Sequence, residues 1–508
     1  MPRSPLDPGE KLACVSYAPF RGAQSPLNRA LEIPAEQIDA DLAKLAEITS
    51  CIRTYSNSQG LDQIAEIARK YGLSVLQGIW LSRDPERNRL EIETGIALAR
   101  NNRDVIKMVI VGNEVLLRGE MAVPDLKGII ERVKRETGLP VTYADVWEYW
   151  LRNRELAPAV DFVTIHVLPY WEDFPLHAAL AARHVAEVQA KVAASFPNKQ
   201  IMIGEVGWPS AGRMRDGALP SPANQARVME EVIAIAKRNY WPINLIEAFD
   251  QPWKRQLEGT VGGHWGLYDG EKRLPKFAWG APVRDHPLWF YQCVLGILLA
   301  FVTFAAAYFA ARSQGEEEPE KIHWPPIAAI ALAGGLFVGW ALVLVPLESL
   351  TIIDWIKSTI LVLIAFITPP VAAAAAAYGT PMAGFATVLD PLFRRAAKPL
   401  ERLLAALLLV TVALAIVVAL GLVFDPRYRD FPFAPFTGPA VALFAATFAC
   451  PPGLKREGVA EPISAAILAG SAIYIFFNEG LLNWQAQWLA ALFLLLAAAC
   501  LRLRVVRS

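Results

Sequence analysis

Two hydrophobic patterns divide the chain. In the first part, short apolar or β-branched runs alternate with stretches whose apolar residues recur at helical spacing. In the second part, apolar runs of about 20 residues follow one another, which is the length a helix needs to cross a bilayer. The pattern predicts an α/β domain over residues 1–285 and an all-α polytopic membrane domain over residues 286–508.

The short apolar runs predict eight strands. They cover residues 13–17, 51–55, 74–79, 106–111, 140–143, 162–166, 200–204 and 244–249. Between them lie helical patterns such as 38–46, 61–70, 87–101, 126–137 and 223–238. Eight alternations in this length favour a (β/α)₈ TIM barrel. The alternative is a doubly wound open sheet, but no G-x-G-x-x-G motif follows the first strand.

The long apolar runs predict about seven transmembrane helices. They cover residues 288–311, 326–346, 355–378, 403–424, 434–450, 462–477 and 484–501. The fifth and sixth runs are short, so six or eight spans remain open.

Basic residues between the spans predict an orientation. Three clusters follow the third, fifth and last spans: Arg394, Arg395, Lys398 and Arg402, then Lys455 and Arg456, then Arg502, Arg504 and Arg507. Because Lys and Arg mark cytoplasmic loops, we expect a cytoplasmic C-terminus and a barrel on the periplasmic side of a bacterial inner membrane. Residues 1–11 contain no apolar run that could start export. We therefore expect an upstream span missing from this sequence, in preference to an inverted orientation.

Charge and cysteine content narrow the range of possible functions. The chain has 49 basic and 49 acidic residues, and this balance argues against a nucleic-acid partner. Only 27 of the 98 charged residues fall in residues 286–508, as expected for a membrane domain. Cys14 and Cys51 lie on adjacent predicted strands, where a disulfide is one possibility. No Cys/His group has metal-site spacing, so we expect neither a metal nor a cofactor.

Polar and aromatic residues collect at the carboxyl ends of the predicted strands, where barrel enzymes carry their active sites. They are Tyr17, Arg53, Tyr55, Trp80, Asn113, Glu114, Asp145, His166, Tyr170, Glu205, Trp208 and Asp250. Each alone is explained by core or rim packing. Together they suit a sugar, whose C–H faces pack on aromatic rings while its hydroxyls need hydrogen-bond partners. Tryptophans 147, 150, 171, 208 and 253 are candidates for sugar subsites, with core or rim packing as the alternative for at least half of them.

Two glutamates end apolar strands. Glu114 ends the fourth in VIVGNE, and Glu205 ends the seventh in IMIGEVGWPS. Retaining glycoside hydrolysis needs two carboxyl groups about 5–5.5 Å apart, one as nucleophile and one as acid/base. Asn113 is placed to bond the sugar 2-hydroxyl. Membership of structural ion pairs is the alternative reading of both glutamates.

These motifs resemble glycoside hydrolase family 17. VGNE and GEVGWPS occur in order with YAPF, IRTYS, HVLPYWE, EAFDQPWK and HWGLYD, between about residues 12 and 277. The resemblance implies a retaining β-1,3-glucan-active (β/α)₈ enzyme. It implies Glu114 as acid/base and Glu205 as nucleophile, with Tyr170 and Lys254 at the substrate. Gln251 departs from the acidic residue that many members have. The predicted substrate-binding residues are Asn113, Tyr17, Arg53, Tyr55, Tyr170, Trp208, Asp250 and Lys254.

A family-17-like barrel joined to a multi-span domain resembles bacterial β-(1,6)-glucan synthase-type proteins of periplasmic β-(1,3)/(1,6)-glucan synthesis. The resemblance implies a transglycosylase or hydrolase of β-1,3-glucan, with the lipid bilayer and a separate glucan synthase as further partners. No D-x-D or Q-x-x-R-W motif for a nucleotide sugar occurs in residues 286–508. Alternatives are a plain endo-β-1,3-glucanase, a glucan exporter or scaffold with an accessory barrel, and a non-catalytic glucan-binding barrel.

Overall fold

The computed structural model describes residues 4–313, 324–451 and 459–503. The chain divides into two compact units. The first comprises Met1–Ala211 and Gly217–Asp285, and the second comprises Gly212–Asp216 and His286–Ser508. Four basic residues used above for the orientation, Lys455, Arg456, Arg504 and Arg507, lie outside the described residues.

The first unit is a closed barrel of eight parallel strands in sequence order, which confirms the predicted barrel. The strands are β1 Val15–Ser16, β2 Cys51–Arg53, β3 Ser74–Ile79, β4 Ile106–Asn113, β5 Val141–Val146, β6 Phe162–His166, β7 Gln200–Val206 and β8 Ile243–Leu245. Pairing of Val15 in β1 with Leu245 in β8 closes the barrel and excludes the open sheet.

In the described part of the first unit, seven α-helices connect the strands and an eighth follows β8. They are α1 Ala35–Ile48, α2 Ile64–Lys70, α3 Pro85–Asn101, α4 Val123–Thr137, α5 Trp147–Arg152, α6 Ala178–Ser195, α7 Pro222–Asn239 and α8 Arg255–Gly262. Residues at the helix termini explain where several of these helices begin or end. The Asp84 side chain caps α3 by accepting from the Arg87 N–H, and Pro85 follows at the first helical position. Helix α4 ends at Gly138, whose φ of 62° suits glycine.

Apolar side chains from the strands fill the barrel. Leu76, Ile110, Ala144 and Met202 form a small buried cluster with Cys14 and Cys51. The two cysteines are joined by a disulfide across 37 residues of sequence. The bridge that the sequence left open is therefore present, and it ties β2 to the segment leading into β1.

The second unit is helical. Its helices are α9 Trp289–Arg312, α10 Trp324–Glu348, α11 Ile352–Tyr378, α12 Ala386–Leu389, α13 Pro391–Ala396, α14 Pro399–Phe424, α15 Phe433–Ala449, α16 Ala460–Asn478 and α17 Trp484–Arg502. Each of the seven predicted spans corresponds to one of these helices. Within the described ranges, six are long and apolar enough to cross a membrane, and α15, the fifth predicted span, is shorter. The helices are compatible with a multi-pass membrane protein.

Charged residues near the helix ends of this unit are paired locally. Lys357 Nζ lies 3.1 Å from Asp354 Oδ1, and Asp354 also forms a capping box with Thr351. Arg213, in the short segment of the second unit, donates to Glu479. Pairing within this unit accounts for these charges.

Candidate active site

The two glutamates lie at the same end of the barrel, because all eight strands are parallel. Glu205 is in β7 and buried, and Glu114 follows β4 and is half-buried. Glu114 has a φ of 53°, in the left-handed region that non-glycine residues seldom adopt. The β4–β5 register shifts between Ile110 and Asn113, so the strand end is irregular where the side chain is aimed.

Close backbone packing supports the end of β7. A Cβ atom on Gly204 would lie 2.5 Å from Thr164 Cγ2 and 3.3 Å from His166 Cδ2. Only glycine fits there without displacing these side chains. This explains the glycine that precedes Glu205 in IMIGE.

A histidine stands between the two carboxylates. His166 Nδ1 lies 2.7 Å from Glu114 Oε1, and His166 Nε2 lies 3.6 Å from Glu205 Oε1. One oxygen of Glu114, one ring nitrogen of His166 and one oxygen of Glu205 all lie within 4.8 Å of one another. This places the two glutamates close together across the barrel end. Their spacing suits the retaining arrangement and is below the 6.5–9.5 Å typical of inverting enzymes.

Two donors hold Glu205. Arg53 Nη1 donates to its Oε1 at 3.1 Å, and the Tyr55 hydroxyl donates to the same oxygen at 2.8 Å. Arg53 is fully buried, and its Nη2 donates to Asn113 Oδ1 at 2.5 Å. Burial and the charge of Glu205 raise the pKa of Tyr55 well above its usual value, so the tyrosine stays a donor. The hydrogen bonds recorded for Glu205 in the described structure all reach Oε1, which leaves Oε2 for other chemistry.

Opposing influences set the protonation of Glu114. Burial alone would raise its pKa, but the His166 hydrogen bond and the charges of Arg118 and Arg53 bring the pKa below its ordinary value. Nearby, burial raises the pKa of Asp145 to about 6, with the charge of Glu114 adding to the shift. The lowered pKa favours the carboxylate form of Glu114, so its protonated form becomes populated only toward acidic pH.

Lys254 is paired with a buried carboxylate, Glu247. Its Nζ lies 2.9 and 3.0 Å from the two carboxylate oxygens of buried Glu247. Burial raises the pKa of Glu247 to about 7; Lys254 opposes the shift, while Glu205 and Asp250 add to it. Glu247 was missed in the sequence, although it also follows an apolar strand, β8, in INLIEAFD. The predicted strand ran on to residue 249, which placed Glu247 inside the strand and Asp250 at its end.

The structure separates the predicted binding residues into two groups. Arg53, Tyr55 and Asn113 come together with the two glutamates. The others, except Lys254, are buried and engaged within the protein. The Tyr17 hydroxyl donates to Asp41, Trp208 Nε1 donates to the Leu219 carbonyl, and Asp250 pairs with Lys276, while Tyr170 packs against Trp208 and Trp265. In this conformation these four side chains are not exposed to a ligand.

The tryptophans also divide. Trp150 and Trp208 are fully buried and belong to the core. Trp147, Trp171 and Trp253 are partly exposed. Trp171 stacks on Trp265 with 15° between the ring planes. All three also pack against the barrel core, so each of the five tryptophans has a packing role.

The spacing of Glu114, His166 and Glu205 would also suit ligands of a metal ion. However, Arg53 already places a positive charge on Glu205 and lies 3.4 Å from His166 Nε2. A cation bound by all three groups would face this guanidinium. Carboxylate chemistry accounts for the cluster better than metal binding does.

A closed (β/α)₈ barrel with two adjacent carboxylates at the carboxyl ends of its strands defines the class of the first unit, a glycoside hydrolase. Residues 14–266 match the model of the BtgE/BtgC glycoside hydrolase domain. The chain therefore carries a glycoside hydrolase domain of the family-17 type, as the sequence motifs indicated.

Curated relatives match this chain over the same region. A glucan 1,3-beta-glucosidase of Candida albicans is 26% identical over 260 residues, which cover 46% of this chain and 84% of the relative. A glucan 1,3-beta-glucosidase of Saccharomyces cerevisiae is 24% identical over 260 residues, which cover 46% and 82%. Both similarities cover about half of this chain.

Among solved structures, the family-17 beta-1,3-glucanosyltransferase of Rhizomucor miehei is 23% identical. The match covers 52% of this chain and 97% of that one, with a TM-score of 0.46. An endo-laminarinase from Formosa is 20% identical, with coverage of 54% and 90% and a TM-score of 0.46.

Proposed function

We propose that this protein is a membrane-bound retaining β-glucan transglycosylase and hydrolase that acts on β-1,3-glucan. The observation that carries the proposal is the pair Glu114 and Glu205, with one oxygen of each within 4.8 Å of the other. The glucan 1,3-beta-glucosidase relatives support the substrate class.

In the first step, Glu205 attacks the anomeric carbon and Glu114 gives its proton to the glycosidic oxygen. The bond to the leaving sugar breaks as the bond to Glu205 forms. Arg53 and Tyr55 hold Glu205 through Oε1, so Oε2 is the attacking oxygen. Asn113 lies beside Glu114, where its amide can bond the 2-hydroxyl of the sugar. The product is a covalent glycosyl-enzyme and a shortened glucan.

In the second step, Glu114 acts as base and removes a proton from the attacking group. Attack by water gives hydrolysis, and attack by a sugar hydroxyl gives transfer. A bound acceptor can outcompete water, since orientation is worth effective molarities of ~10⁵ M or more. The partly exposed Trp147, Trp171 and Trp253 are suited to hold an acceptor by stacking.

We place the protein in a bacterial inner membrane, with the barrel on the periplasmic side and the C-terminus in the cytoplasm. Six apolar helices support a multi-pass arrangement. The basic loops favour this orientation. The Cys14–Cys51 disulfide supports it independently, because disulfides persist in oxidising compartments such as the periplasm.

In this location the enzyme would remodel or branch periplasmic β-1,3-glucan, forming β-1,6 linkages on chains made by a separate glucan synthase. A plain endo-β-1,3-glucanase would share the site and the intermediate. The two functions differ only in the group that attacks the glycosyl-enzyme.

Product length distinguishes them. Full-length protein in detergent is incubated with one defined 1,3-linked glucan oligosaccharide, and product length and linkage are followed over time. We expect products longer than the substrate, some with 1,6 linkages. If only shorter fragments form, even at high substrate concentration, the protein is a plain endo-β-1,3-glucanase. No turnover of any 1,3-linked glucan would contradict the proposal as a whole.

A further inference from the structure

His166 contacts both candidate catalytic groups and has no assigned part in the reaction. It ends β6 and is buried, with 1% of its surface exposed. Its Nδ1 lies 2.7 Å from Glu114 Oε1. Its Nε2 faces both terminal nitrogens of Arg53 at 3.4 Å.

The partners of Arg53 determine which ring nitrogen carries the hydrogen. Nη1 has two hydrogens, and its acceptors are the Gly204 carbonyl at 2.7 Å and Glu205 Oε1 at 3.1 Å. Nη2 gives one hydrogen to Asn113 Oδ1, and its other hydrogen is left for His166 Nε2. A guanidinium has donors only, so Nε2 must present its lone pair. The neutral ring then carries its hydrogen on Nδ1 and donates it to Glu114 Oε1.

We propose that His166 is a positioning residue: Arg53 holds it in the Nδ1–H tautomer, and it holds Glu114 by Oε1, so that Oε2 is the oxygen that carries the catalytic proton. This inference rests on the proposed function, since it concerns the same acid/base group. A carboxyl group with one oxygen held in this way has one orientation. Its proton is then presented to the glycosidic oxygen from one direction.

The proton balance is simple in both half-reactions. In the first, the proton leaves Glu114 Oε2 for the glycosidic oxygen as the C–O bond breaks and Glu205 bonds to the anomeric carbon. In the second, the acceptor hydroxyl returns a proton to Oε2 while its oxygen displaces Glu205. His166 keeps its hydrogen on Nδ1 throughout and neither gains nor loses charge.

The pH dependence of the enzyme reports on this contact. The charged or titratable groups that act on Glu114 are His166 in β6, Arg53 in β2, Arg118 after β4, Tyr143 and Asp145 in β5, Glu205 in β7 and Glu258 in α8. The N–H donor stabilises the carboxylate, so removing it raises the pKa of Glu114. The first step needs protonated Glu114, so the alkaline limb of kcat/KM then moves to higher pH. A charge-assisted hydrogen bond corresponds to a shift of about one pH unit or more.

The experiment compares two substitutions at one position in the full-length protein. His166→Leu removes both ring nitrogens with little change in volume. His166→Asn keeps an N–H donor about as far from the backbone as Nδ1. kcat/KM on a 1,3-linked glucan oligosaccharide is measured across the pH range for wild type and both variants, with thermal unfolding as a check on folding.

We expect His166→Leu to lose at least tenfold in kcat/KM at its optimum and to shift the alkaline limb upward by about one pH unit. In His166→Asn the limb should stay near its wild-type position. An unmoved limb in the Leu variant, or equal shifts in both variants, would overturn the inference. Should the Leu variant not fold, His166→Gln, whose amide extends to the Nε2 side, replaces it with the same expected shift. An inactive wild type would instead contradict the proposed function.

Discussion

The buried guanidinium of Arg53 offers a prediction about the nucleophile. Arg53→Met removes the donors to Glu205 Oε1, to the Gly204 carbonyl and to Asn113 Oδ1. The Tyr55 hydroxyl is then the remaining recorded donor to Glu205. Glu205 stays buried, but it has lost its positive partner.

The loss of this partner sets the expected changes in folding stability and in pH dependence. Breaking a buried ion pair from one side costs about 3–5 kcal/mol of folding stability. One hydrogen bond to a charged group is worth about 1.5–3 kcal/mol, or roughly one to two pH units in the pKa of the group. The nucleophile must be ionised, so loss of the Arg53 donor should move the acidic limb of kcat/KM to higher pH by about that amount.

Arg273→Met is the matched control. Arg273 is also buried, and it donates to Asp41 at 3.3 Å and to the Gly270 and Pro19 carbonyls at 3.0 Å each. Both variants should unfold at lower temperature than wild type. Only Arg53→Met should move the acidic limb. An acidic limb that stays in place in Arg53→Met, or moves equally in the control, would refute the assignment of Arg53 to Glu205.

Three further predictions follow from particular contacts. Replacing Cys14 and Cys51 by alanine should destabilise the barrel by about 4 kcal/mol, because the bridge closes a loop of 37 residues, and inactivation should occur at lower temperature; an unchanged temperature would contradict this. Trp171→Ala should lower the ratio of transfer to hydrolysis several-fold by removing a stacking face, whereas Tyr240→Ala, at a site 91% exposed on α7's C-terminal cap, should leave it unchanged. Reporter fusions after Arg395 and at the C-terminus should give cytoplasmic signals and a fusion after Glu348 a periplasmic one, and the reverse pattern would invert the orientation.

The hydrophobic pattern of the sequence predicted most of the fold. The strands of a barrel are covered on both faces and read as continuous apolar runs, so all eight could be located. Their limits were less certain: β1 and β8 have two and three residues, and β5 extends to Val146, past the predicted end at residue 143. Strand length depends on pairing with neighbours, which sequence does not show.

The site was only partly predictable. Glu114 and Glu205 stand out because a carboxylate after an apolar strand needs water or a partner. Tyr17 and Trp208 follow apolar strands in the same way, yet the structure buries both. Period-two alternation and local irregularity at a strand end decide which way a side chain points, and a single residue's shift reverses it. The role inferred for His166 depends on distances to two residues far away in sequence.

The proposed reaction is a double displacement through Glu205 with Glu114 as acid/base. The most direct measurement is a ¹H NMR time course of the anomeric protons, recorded on full-length protein as it begins to turn over a 1,3-linked glucan oligosaccharide. Two inversions restore the original configuration, so the first new anomeric signals should be β, and neither Glu205→Gln nor Glu114→Gln should produce them at a comparable rate. First-formed products with α configuration, or near-normal turnover by either variant, would contradict the account.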